Sequence, residues 1–167
     1  MRGLAGAVVL LAAAVLQVSW APNLVVAGIF PNLVLLAVVA WTLTSGVQAG
    51  LRWAIGGGLL LDLASPGPLG VHALALLVAA YGAGFAQRAF ARDAFLLPAL
   101  TGAAAAVVYS LVLMALADTF GRHVAFVAVF QAWVAPAAIL QGVLTPLACW
   151  LARRLDARIP VPVQIEW

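Results

Sequence analysis

The sequence has no lysine, a single cysteine and only five acidic residues in 167 positions. Cys149 has no second cysteine with which to form an internal disulfide, and no group of cysteines and histidines has metal-ligand spacing. No serine stands in a hydrolase motif. The net charge of +3 comes from scattered arginines rather than from one basic face. We therefore expect no enzyme activity, no metal, no cofactor and no nucleic-acid partner.

Hydrophobic residues dominate what is present. They make up 66% of the chain, and charged residues only 8%, whereas a soluble domain carries about 25% charged residues. A transmembrane helix uses about 20 residues, so the length allows about six. The sequence predicts an all-α integral membrane protein, a single transmembrane domain over residues 1–167. Charges, prolines and glycine clusters divide it into helices near 3–20, 31–46, 48–64, 69–87, 94–117 and 129–153, with apolar connectors at 21–30 and 118–128.

The arginines predict an orientation in the membrane, because short cytoplasmic loops retain basic residues. With six spans, Arg122 lies alone on one side. The other side carries seven arginines, so we predict that both termini are cytoplasmic and that the chain also contacts anionic lipid there. The seven are Arg2, Arg52, Arg88, Arg92, Arg153, Arg154 and Arg158.

Small residues recur at four-residue intervals along the third predicted helix, at Gly46, Gly50, Ala54 and Gly58. Small side chains let two helix backbones approach closely in lipid. Residues four apart do not lie exactly above one another on a helix, so this row turns gradually around the helix axis. It therefore predicts a series of separate contacts rather than one continuous interface. The contacts are either specific, within this chain or with a partner, or they are generic close packing.

Asp62 is the only carboxylate that this helix map places inside a span, and an intramembrane acid indicates a functional position. Two roles are open. It caps the turn at 65–68 by accepting backbone N–H bonds, in which case asparagine should largely replace it, or it contacts a partner, a ligand or a cation. The available cations are Arg122 and, if protonated, His72 and His123. Because no second ligand or nucleophile is near His72, we interpret it as a structural hydrogen-bonding residue.

Three segments together carry a resemblance to a known family. They are Pro31-Asn32-Leu33, the end of the third helix at Gly58-Leu59-Leu60-Leu61-Asp62, and the turn Pro66-Gly67-Pro68-Leu69-Gly70. In these segments the sequence resembles the rod shape-determining protein MreD family. Many members have an aspartate after the first proline, where this sequence has Asn32.

The resemblance implies a non-enzymatic scaffold of the cell-elongation machinery in the bacterial cytoplasmic membrane. It implies binding to the single-span coiled-coil protein MreC, and through it to MreB, RodA and the RodA transpeptidase. It also implies a fold similar to the substrate-binding subunits of energy-coupling-factor transporters. The alternative is a small-molecule-binding subunit of a transporter, with an outward pocket near Asp62 and His72.

Overall fold

A computed structural model describes residues 2–20, 31–89, 96–121 and 126–157 of the chain. These parts are all-helical and contain no strand. The predicted connector at 21–30 and part of the one at 118–128 lie outside them. The first five helices are α1 (Arg2–Trp20), α2 (Leu33–Ser45), α3 (Val47–Ala64), α4 (Val71–Ala89) and α5 (Leu96–Thr119).

The sixth helix, α6, is continuous but not uniform. A short α-helical turn at Phe126–Val129 leads into a π-helical turn at Phe130–Val134, and the long α-helical segment Ala135–Ala157 follows. Pro136 explains the irregularity, because its ring would clash with the carbonyl group four residues earlier in a regular helix. The N–H of Ala135 instead reaches back to the carbonyl oxygen of Phe130.

The helix α2 is shorter than its predicted range. It begins at Leu33 because Asn32 serves as its N-cap, with Oδ1 accepting a hydrogen bond of 2.9 Å from the N–H of Leu35. It ends at Gly46, whose φ of +94° separates it from α3. At 13 residues, α2 is about 20 Å long, less than the roughly 30 Å of a bilayer hydrocarbon core. One of its ends therefore lies inside the bundle.

Successive helices run in opposite directions, and α2 packs against all five of the others. Its fully buried side chains include Val34, Val38 and Val39, which form the centre of the main core cluster. Alanines of α4 close the core from the other side, with Ala75 and Ala80 completely buried. Small side chains dominate this core, so the helix axes lie close together.

The row of small residues on α3 faces two different helices. A side chain at Gly50 would overlap Thr42 of α2, and one at Gly58 would overlap the backbone of Ala73 in α4. Ala54, between them, is completely buried. Both close approaches are thus made within this chain.

Charge is unevenly distributed along the bundle. We call the end where α2, α4 and α6 finish the basic end, and the end where α3 and α5 finish the acidic end. Among the side chains that the structure describes, the arginines lie in the basic half and the two aspartates in the acidic half. The arginines are Arg52, Arg88, Arg153 and Arg154, and the aspartates are Asp62 and Asp118. Arg92, Arg122 and Arg158 lie outside the described residues.

Two helical stretches in the described residues, Leu96–Thr119 and Val127–Arg154, are long and apolar enough to cross a membrane. Gly6–Ser19 and Leu33–Ser45 are shorter apolar helices. Large hydrophobic side chains also point outward, and Leu63, Phe85 and Ile139 are each about 70% exposed. Such outward apolar surfaces fit a lipid environment better than water.

Candidate functional site

Asp62 joins the end of α3 to the start of α4. Its side chain is only 3% exposed, and both carboxylate oxygens accept backbone hydrogen bonds. Oδ1 accepts from the N–H of His72 at 2.8 Å, and Oδ2 accepts from Gly70 at 2.9 Å and Ala73 at 3.3 Å. These N–H groups have no partner within the helix, because they lie at its N-terminus. The geometry is that of a backbone cap, as in the first alternative, but the donors lie at the start of α4 rather than in the predicted turn at 65–68. The negative charge also suits the helix dipole.

The turn between α3 and α4 depends on Gly70. Its φ is +97°, a left-handed conformation that side chains with a Cβ disfavour. This conformation directs the N–H groups of the first turn of α4 back toward the carboxylate. Pro68 lies in the same turn and is exposed.

A chain of hydrogen bonds extends from this cap into the bundle. Nδ1 of His72 is 2.7 Å from the hydroxyl oxygen of Tyr109 on α5, and Nε2 is 3.3 Å from Oγ of Ser65. The Tyr109 hydroxyl also lies near the side chain of Asn32. One arrangement satisfies both bonds of the imidazole: Tyr109 donates to Nδ1, and the Nε2 proton is donated to Ser65.

The short helix α2 explains why Asn32 needs these partners. Its N-terminus lies inside the bundle, level with the middle of α5 and α6, where water does not solvate free backbone groups. Nε2 of Gln141 on α6 donates to the carbonyl oxygen of Asn32 at 3.1 Å. On the other side, Oε1 of Gln17 on α1 accepts from the N–H of Val34 at 3.0 Å. All six helices are therefore tied together by polar contacts around one helix start and one turn.

A cleft of about 320 Å³ opens beside this network, between the α3–α4 turn and the end of α5. Asp62 and His72 contribute its polar groups, and Leu113, Ala117 and Phe120 form the apolar wall. The carboxylate oxygens and both imidazole nitrogens already have protein partners. Three of the roughly four acceptor sites of the carboxylate and both imidazole nitrogens are therefore used in joining α3, α4 and α5.

The structure brings some of the predicted site residues together and separates others. Asp62, Gly70, His72 and Asn32 belong to one network, with Pro68 at the rim of the cleft. Pro31, directly before the α2 cap, is half-buried. Gly46 and Gly50 lie toward the basic end, and Gly58 lies one turn below Asp62. Arg122 and His123, the proposed ion-pair partners, are outside the described residues.

Sequence reasoning missed four members of the network: Gln17, Ser65, Tyr109 and Gln141. Three of them are polar side chains in the mostly apolar middle parts of their helices or near them, and such side chains need partners in a low-dielectric interior. A polar side chain surrounded in sequence by apolar residues was therefore the signal that could have identified them. The sequence could not indicate which of these helices are neighbours.

Comparison with protein families gives a match over most of the chain. The model of rod shape-determining protein MreD matches residues 1–155 of the 167-residue chain. The chain belongs to the MreD family. Searches of curated proteins and of solved structures gave no significant match.

The MreD match covers nearly the whole described chain, including the Asp62 cap, the Asn32 cap and all their partners. The family resemblance drawn from three short segments is thereby confirmed. The match supports a role in determining rod shape, and together with the two long apolar helices it indicates a membrane protein.

Proposed function

We propose that this chain is a non-enzymatic membrane scaffold of the bacterial cell-elongation machinery and that it binds MreC. The observation that carries the proposal is the family match over residues 1–155. The Asp62 network supports it, because its polar side chains hydrogen-bond one another and the backbone and so hold the helices together. Through MreC the scaffold would connect to MreB, RodA and the RodA transpeptidase during peptidoglycan synthesis.

The location belongs to the same proposal. We place the chain in the cytoplasmic membrane with the basic end, and both termini, on the cytoplasmic side. The four described arginines in the basic half support this orientation, since basic residues are retained in the cytoplasm during insertion. Similarity to energy-coupling-factor substrate-binding subunits remains a prediction.

Purification from native membranes tests the proposal. The full chain, carrying an affinity tag, should retain MreC from the same cells, and an untagged strain is the control. MreC should be absent from the control. In the tagged preparation, the ratio of MreC to the tagged chain should stay constant on dilution. Absence of MreC from the tagged preparation would show that the scaffold proposal is wrong.

The alternative is a transporter subunit that binds a small molecule in the cleft beside Asp62 and His72. The volume of about 320 Å³ is at the lower limit of small-molecule sites. This alternative predicts a different result in the same purification, a pair of ATPases with a membrane coupling protein. Its weakness is that the polar groups of the cleft are already hydrogen-bonded to the protein.

A further inference from the structure

A second cavity lies at the basic end, far from the Asp62 network. Its volume is about 350 Å³, and α2, α4, α5 and α6 each contribute to its wall. The polar wall comes from Thr44, Gln87, Cys149 and Arg153, and the apolar wall includes Leu97 and Pro98. The helix-packing role assigned to the Asp62 network does not involve this cavity.

The charge around this cavity favours an anion. Arg153 is exposed and lines the cavity, and Arg88 and Arg154 are exposed at the same end of the bundle. Asp62 and Asp118 lie at the opposite end. Asp156 stands in the last turn of α6, but the arginines at the basic end outnumber it. A guanidinium group presents donors in a fork that matches the oxygens of a phosphate.

The neutral polar groups extend this donor set. Nε2 of Gln87 donates to the carbonyl oxygen of Leu43 at 2.9 Å, which uses one of its two amide hydrogens. The Thr44 hydroxyl donates to the carbonyl oxygen of Ala40 at 2.8 Å, so its oxygen retains acceptor capacity. The cavity thus combines donors suited to a phosphate with an acceptor suited to a hydroxyl group.

The position of the cavity identifies the source of the phosphate. It opens where the helices end, the level at which lipid headgroups surround a membrane-embedded bundle. Its apolar wall would contact the glycerol backbone and the first acyl carbons. We propose that this cavity binds the headgroup of an anionic phospholipid such as phosphatidylglycerol, with Arg153 and Gln87 contacting the phosphate and Thr44 accepting from the glycerol hydroxyl.

Native mass spectrometry of the purified full chain in detergent tests the site, with phosphatidylglycerol and phosphatidylcholine as probes. The wild type should bind phosphatidylglycerol more tightly than phosphatidylcholine. Arg153→Gln should weaken phosphatidylglycerol binding by about tenfold, the value of one charge-assisted contact. The matched control is Arg154→Gln, which removes the same charge one position away. Arg154 stacks on Trp150 at 4.0 Å and does not line the cavity, so this control should leave binding nearly unchanged.

A second variant tests the need for the open cavity independently of the arginine charge. Leu97→Trp fills the cavity from its apolar wall and keeps every arginine, so it too should lose phosphatidylglycerol. Equal losses in the two arginine variants, or full binding by Leu97→Trp, would overturn the proposal in favour of diffuse attraction to the basic end. Equally tight binding of inorganic phosphate would overturn the lipid assignment. The measurement uses the chain alone, so its outcome is independent of MreC binding.

Discussion

Asp62 uses its two carboxylate oxygens for different parts of the α4 start, and this division makes a prediction about asparagine. Asparagine retains one oxygen but puts an N–H₂ group near the N–H groups of Gly70 and Ala73, which also donate. The expectation that asparagine would largely replace the acid is therefore revised. Each buried donor left without an acceptor costs about 1–3 kcal/mol.

Asp62→Asn should consequently lower the thermal stability of the purified protein to an intermediate value, and Asp62→Leu, which removes both acceptors, should lower it further. Stability of the two variants can be compared with the wild type in one detergent. If asparagine were as stable as aspartate, one oxygen would be sufficient for the cap. If it were as unstable as leucine, the negative charge itself would be needed.

Tyr109 offers a second test at the scale of one atom. Tyr109→Phe removes the hydroxyl group that joins α5 to His72 of α4. We expect a loss of about 1–3 kcal/mol of stability, because the imidazole loses a buried hydrogen-bond partner. Thermal unfolding of the purified variant measures the loss. Tyr81→Phe is the matched control: Tyr81 is 68% exposed, so the same change there should have little effect, and equal shifts would contradict the assigned role.

At the scale of helices, α3 and α4 are held together by the contact of Gly58 with the backbone of Ala73. A methyl group at Gly58 would overlap that backbone, and backbone cannot rotate away as a long side chain can. Gly58→Ala should therefore separate the two helices and lower the unfolding temperature.

The control for this contact is Gly82→Ala on α4, where an added Cβ meets nothing within 4 Å. That substitution should be neutral or stabilising, by up to about 1 kcal/mol, because alanine favours helix more than glycine does. Unfolding temperatures of both variants are needed. A neutral Gly58→Ala would mean that the helices adjust without cost.

For the whole molecule, the testable quantity is its orientation in the membrane. In a Cys149→Ala background, Thr119→Cys places a thiol at the acidic end and Gln48→Cys places one at the basic end, and both positions are exposed. A membrane-impermeant thiol reagent added to intact cells should label Thr119→Cys and leave Gln48→Cys unlabelled. Labelling of both after cell lysis is the control. The opposite pattern in intact cells would reverse the proposed orientation.

Features that depend on neighbouring residues were predictable from the sequence. The apolar composition determined an all-helical chain, and prolines and glycines located the helix ends to within a few residues. The capping role of Asp62 was also one of the predicted alternatives, because the next helix starts only a few residues later. Its donors, Gly70, His72 and Ala73, lie just after the predicted turn at 65–68. Asn32 in front of an apolar run has the sequence pattern of an N-cap, but it was singled out only through the family resemblance.

Contacts between distant parts of the chain were decided only by the tertiary structure. Tyr109 and Gln141 meet His72 and Asn32 across 37 and 109 positions of sequence, and nothing local to either residue selects its partner. The same holds for the cavity around Arg153, since four helices must assemble before it exists. Hydrophobic burial determines that helices pack but is not directional, whereas the interlocking of small side chains and the pairing of buried polar groups decide which faces meet.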